Sequence, residues 1–113
     1  MARGGFPGIP GGNMQQLMRQ AQKMQQQMIQ LQEELDAREY EASSGGGMVN
    51  VKVNGKRELL ELTIKPEAVD PDDVEMLQDL VMAAVNEALR TGEETREREM
   101  ARVGGAAGMG GLF

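Results

Sequence analysis

The sequence has no cysteine, no histidine and no tryptophan among its 113 residues. Without cysteine there is no disulfide framework and no thiolate chemistry. Without histidine there is no imidazole base and no histidine ligand for a metal. Serine occurs only at Ser43 and Ser44, beside a run of glycines, so an activated nucleophile next to a base has no residues to build it. Aromatic side chains are confined to Phe6, Tyr40 and Phe113. The core must therefore be aliphatic, and a monomer of this length buries little of one, which favours an oligomer. No apolar run approaches the roughly 18 residues of a membrane span, and the start lacks the charged-then-apolar form of a signal peptide. The expectation is a soluble cytoplasmic protein that is not an enzyme, with no cofactor, no metal, no membrane and no small-molecule substrate.

What is present is organised around residues 43–65. Val49, Val51 and Val53 alternate with Met48, Asn50 and Lys52, the period of a half-buried strand. Asn54-Gly55 follows, and Leu60, Leu62 and Ile64 alternate beyond it. Asn-Gly predicts a two-residue type I′ turn with positive φ at both residues. That turn would set Val53 opposite Lys56, Val51 opposite Glu58 and Val49 opposite Leu60, giving one apolar face. Residues 38–44 alternate as well and predict a first strand, with Tyr40, Ala42 and Ser44 on one side. Gly45-Gly46-Gly47 lies between strands and lacks a following Gly-Lys-Ser/Thr, so it reads as a turn and not as a phosphate loop. A sheet this small needs something laid on its apolar face.

Helical periodicity flanks the sheet on both sides. Met14, Leu17, Ala21, Met24, Met28, Leu31 and Leu35 step alternately by three and four, an a/d seam. Asn13 is the expected N-cap and Ala37 the expected end. The second helix is expected to run from a cap at Asp70, with Pro71 at its first position and Val69 and Val74 as a hydrophobic staple, to about Arg102. Its buried face would carry Val74, Leu77, Val81, Ala84, Val85 and Ala88. Asp70, Asp72 and Asp73 lack calcium-loop spacing and a closing Glu, so helix capping accounts for them better than a metal does. The expected layout is a Gly/Pro-rich flexible tail over 1–12, one domain over 13–103 and a Gly-rich flexible tail over 104–113.

The net charge of −6 argues against nucleic acid taken alone, but its distribution does not. Residues 1–30 contain Arg3, Arg19 and Lys23 and no acid. The excess acid lies in Glu33 to Glu41 and in Asp70 to Asp79. Arg19 and Lys23 are four apart and share a helix face, and Arg98 and Arg102 repeat that spacing. With antiparallel helices the two pairs, joined by Arg96, would share one protruding tip fringed by Arg3. Spacing alone leaves two readings open, a phosphate-binding surface or ordinary solubilising charge.

Several segments together resemble the YbaB/EbfC family of bacterial nucleoid-associated proteins. They are Asn13-Met14, Gln20 to Gln25 (QAQKMQ), Gln32 to Leu35 (QEEL), Gly45 to Val49 with Val51, Asn54-Gly55, Glu75 to Leu80 (EMLQDL), Ala83 to Ala88 (AAVNEA) and Gly111-Leu112-Phe113. The resemblance spans nearly the whole chain in order. It implies an α+β protomer, helix–three-stranded antiparallel sheet–helix, pairing into a tweezer-like homodimer with projecting helical arms. It also implies double-stranded DNA as partner, weak sequence preference, a location at the nucleoid, and a role in nucleoid organisation or gene regulation. Of the basic residues only Lys23 falls in a matching segment; Arg3, Arg19, Arg96, Arg98 and Arg102 are DNA-binding candidates by position and charge. The competing expectation is a prefoldin-like chaperone subunit or interaction scaffold that grips clients with helical tips and does not bind DNA.

Overall fold

A computed structural model describes residues 11–106, with side chains described over 13–103. The chain forms helix α1 (Gly11–Ala37), strands β1 (Glu39–Ser44), β2 (Val49–Asn54) and β3 (Leu59–Ile64), a single 3₁₀ turn at Pro66–Ala68, and helix α2 (Val74–Ala106). This is the expected helix–three strands–helix order. Most of the two expected tails lies outside the described residues, but Gly11, Gly12 and residues 104–106 continue the helices. Asn13 thus sits inside the first turn of α1 instead of capping it.

The three strands form one antiparallel sheet in the order β1-β2-β3. Tyr40, Val49, Val51 and Val53 are buried on its inner face, and Ala42 and Ile64 pack around them. Helix α2 lies across β1 and β2. Ala84 and Ala88 are fully buried there, and their small side chains let the helix sit close to the sheet. Gly92 continues that four-residue step. A Cβ at Gly92 would lie 3.1 Å from Cδ2 of Tyr40, so this interior glycine makes room for the ring. The Ser44 hydroxyl donates to the Leu80 carbonyl at 2.6 Å and ties the end of β1 to the helix.

The hairpin between β2 and β3 differs from the two-residue turn. Val49 pairs with Ile64, Val51 with Leu62 and Lys52 with Glu61, and a bulge then sets Val53 opposite Leu59. The loop is longer because the Asn54 side chain organises it. Asn54 Oδ1 accepts from the amides of Lys56 (2.9 Å) and Glu58 (3.0 Å), while its Nδ2 donates to Glu58 Oε1 (2.6 Å). Arg57, and neither Asn54 nor Gly55, takes the positive φ, at 67°. Gly55 serves another purpose. Its amide donates to the Asp36 carbonyl at 3.2 Å, and a Cβ there would lie 1.8 Å from the Leu35 carbonyl oxygen. The glycine permits backbone contact with the end of α1.

The second helix also starts later than expected. Asp73 caps it, its Oδ1 accepting from the Met76 amide at 3.2 Å. Asp70 instead closes the preceding turn, with its Oδ1 accepting from the Asp72 amide and its carbonyl from the Asp73 amide, both at 2.9 Å. Val69 and Val74 are both more than half exposed, so they form no staple and Val74 is not in the core. The three glycines do form a turn, all at positive φ.

Candidate nucleic-acid interface

The molecule measures 85 × 25 × 17 Å, and its length comes from helices leaving the sheet. Leu35 is fully buried where α1 ends. Beside it, Asp36 accepts from the Arg96 guanidinium of α2. Arg96 also donates to the Gly55 carbonyl at 3.4 Å. Asp36, Gly55 and Arg96 thus form a clasp joining α1, the hairpin loop and α2 at the neck of the molecule.

Beyond the clasp the helices run antiparallel. From Arg96, α2 continues ten residues to Ala106, while α1 runs back twenty-five residues to Gly11. At about 1.5 Å per residue, α1 outreaches α2 by roughly 22 Å. Its outer part is bare: the seam residues Met14, Leu17 and Met24 are exposed, whereas Met28 and Leu31 are half-buried.

The predicted cations distribute along this arm and do not converge on one tip. Arg19 and Lys23 are exposed on the part of α1 that outruns α2. With Gln20, Gln22 and Gln26 they line an open depression of about 270 Å³. Neither makes an ion pair among the described residues. Arg98 and Arg102 are exposed nearer the neck. Arg102 pairs with Glu99 at 3.1 Å, and Arg98 donates to Thr95 Oγ1 at 3.3 Å. Arg96 is half-buried in the clasp. Arg3 lies outside the described residues. From Arg98 to Arg19 the arm spans roughly 22 Å, less than the ~34 Å of one DNA turn.

At the sheet, Arg38, Lys56 and Lys65 are exposed and make no ion pair among the described residues, while other cations are engaged by carboxylates. Lys52 on its outer face lies between Glu61 (3.3 Å) and Glu39 (3.6 Å). The hydrogen bond and charge of Glu61, with the charge of Glu39, hold its ammonium above the usual lysine pKa. Arg57 pairs with Glu93 at 3.5 Å. The hydrogen bond from Arg90 to Glu87 is the largest cause raising the Arg90 guanidinium, and the charges of Glu87 and Glu94 add to it.

The family model described as the YbaB/EbfC DNA-binding family matches residues 11–107. The chain belongs to that family. It is 58% identical over 114 residues to a nucleoid-associated protein of Clostridium novyi, and 57% identical over 114 residues to one of Acetivibrio thermocellus, in each case covering 100% of both chains. Among solved structures it resembles that of an uncharacterized protein from Helicobacter pylori, with a TM-score of 0.63 and 29% identity over 83% of this chain and 96% of that one.

For this YbaB/EbfC chain, sequence reasoning named Arg19, Lys23, Arg98 and Arg102, which the fold places along the arm, but missed the contacts of Asp36 and Gly55 with Arg96. The available signal was Asn54-Gly55, whose glycine satisfies a turn motif and conceals a need for close approach. No helix among the described residues is long and apolar enough to cross a membrane.

Proposed function

We propose that this chain is a nucleoid-associated protein that binds duplex DNA as a homodimer, through phosphates and with weak sequence preference, serving nucleoid organisation or gene regulation in the bacterial cytoplasm. The observation that carries the reading is the projecting, acid-free outer part of α1 in a chain of a DNA-binding family. Arg19 and Lys23 are the principal contacts, Arg98 and Arg102 extend the row toward the neck, and Arg3 joins from the N-terminal segment. Arg96, though counted with them by charge, acts from within the clasp. Exposed cations on a helix contact phosphates readily and carry no base code of their own.

Bare apolar surface supports the dimer. Because α2 covers β1 and β2, the inner face of β3 stays open, with Leu60 and Leu62 each 44% exposed. Beside it Ile64, Leu77, Gln78, Val81 and Met82 line an apolar groove of about 450 Å³. Together with the bare outer seam, this is the kind of contiguous exposed apolar surface that marks interaction sites. A dimer also supplies two arms, and one alone spans less than a DNA turn.

The test is a titration of random-sequence duplex with the full chain at two salt concentrations, alongside light scattering. A dimer whose affinity falls steeply with salt is expected. A hexamer that leaves DNA unbound would overturn the proposal in favour of a chaperone-like scaffold.

A further inference from the structure

The arm leaves the body at the clasp. Little joins α1 to the rest of the protomer: it meets α2 along a short stretch and the hairpin loop at its last turn. The interactions at that turn are directional. The Gly55 amide reaches the Asp36 carbonyl at 3.2 Å, and Arg96 joins the Asp36 carboxylate to the Gly55 carbonyl. Asp36 and Arg96 are each about one-third exposed at the side chain, 38% and 33%. Water screens such a pair less than one on the open surface. Arg96 stands four residues beyond Gly92, on the close-packed face that begins at Ala84 and Ala88. It therefore continues the face by which α2 is seated on the sheet.

We infer that Asp36 and Arg96 are positioning residues for DNA binding. They hold α1 at the angle that presents Arg19 and Lys23, and Arg96 acts through Asp36 and Gly55, not through phosphate. This inference rests on the DNA-binding reading above. It runs against simple electrostatics. Replacing Asp36 with Asn removes a negative charge, which by itself should strengthen DNA binding. If the clasp positions the arm, Asp36→Asn weakens it instead, because apparent affinity scales with the fraction of arms held in the competent direction. A competent fraction reduced to one-third would lower affinity about threefold.

The experiment uses the full chain, wild type, Asp36→Asn, Arg96→Gln and the swap Asp36→Arg with Arg96→Asp. Affinity for a random-sequence duplex is measured over a range of salt. Because the chain has no cysteine, two cysteines, at Gln27 on the arm and at the exposed Thr63 of β3, carry a spin-label pair that, diluted into unlabelled chain, reports arm orientation in every variant by pulsed distance measurement, without DNA. Each single variant should broaden the distance distribution and lose about threefold or more in affinity. The salt slope should stay at its wild-type value, since the cations that meet phosphate are all retained. The swap should narrow the distribution again and recover affinity at unchanged net charge. Tighter binding by Asp36→Asn would overturn the inference, as would a shallower salt slope for Arg96→Gln, which would make Arg96 a phosphate ligand. A distribution unmoved in both single variants would also overturn it. A wild-type chain that fails to bind DNA would instead overturn the proposed function, while the spin-label distances would still test the clasp.

Discussion

Gly55 and Gly46 are both turn glycines, yet different physics holds each in place. A Cβ at Gly55 would lie 1.8 Å from the Leu35 carbonyl oxygen, a clash that only displacement of the α1 end can relieve. Gly46 has open space around it and only a positive φ of 67° to defend. Gly55→Ala should therefore destabilise the fold by about 3 kcal/mol, in the range of severe single-site losses. Gly46→Ala should cost about 1 kcal/mol, the left-handed penalty alone. Urea titrations of the two variants give the comparison, and equal losses would refute it. Arg57 is the converse case, a non-glycine at φ 67° whose ion pair with Glu93 is exposed. Such a pair contributes about 0.2 to 1 kcal/mol, less than the left-handed penalty of about 1 to 2 kcal/mol, so Arg57→Gly should stabilise by about 0.5 to 1 kcal/mol. An unchanged or lowered unfolding midpoint would show that the left-handed residue carries no strain.

At the scale of elements, the joint between α2 and the sheet depends on small residues meeting one large ring. Ala84, Ala88 and Gly92 bring the helix down, and Tyr40 fills the space at Gly92 with its hydroxyl buried and without a hydrogen-bond partner among the described residues. An unpartnered buried hydroxyl costs stability. Tyr40→Phe keeps the ring and removes that group, so it should be neutral or stabilising by up to about 1 kcal/mol in thermal unfolding. A clear loss would mean that the hydroxyl finds a partner in the assembled protein. Element order was legible from periodicity, and Ala84 and Ala88 were placed on the core face correctly, whereas Val74 was not. The hairpin register was not. Asn-Gly satisfies a tight turn on local grounds, but close approach to the end of α1, about twenty residues away in sequence, takes the glycine for another purpose. The cap of α2 was misplaced for a similar reason, because Asp70 and Asp73 carry the same capping chemistry and local sequence does not rank them.

At the scale of the whole molecule, shape and charge act together. Asp70 to Asp79 lie at the sheet end, Glu33 to Glu41 at the neck, and the acid-free segment at the far end of an 85 Å body, so DNA should be met arm-first. Changing Arg19 and Lys23 together to Ala removes two charges per chain. Affinity should fall for all duplex sequences alike, and the salt slope should become shallower by up to about 0.9 for each phosphate no longer neutralised. Dimer stability should barely change, because neither residue lies on the seam. Parent-like binding at physiological salt would shift attention to Lys52, Lys56 and Arg57, of which Lys52 and Arg57 are already engaged by carboxylates. Assembly has its own test. Leu62→Glu places a charge on the bare inner face of β3, and burying an unpaired carboxylate there would be costly. If that face is the dimer interface, of roughly 2,000 Å² or more, sedimentation should show the variant as a monomer where the parent is a dimer.

Periodicity and composition were enough to specify the elements, their order and the segregation of charge, because these act within a few residues of one another. Where each cation sits, and which carboxylates it meets, was decided only by the fold. Arg96, Arg98 and Arg102 are alike in sequence, two and four residues apart on one helix. The fold turns Arg96 toward Asp36 and leaves the other two facing outward. It also staggers the two basic pairs along the arm instead of joining them at one tip, because the clasp fixes where α2 meets α1 and α1 is left with the longer free run.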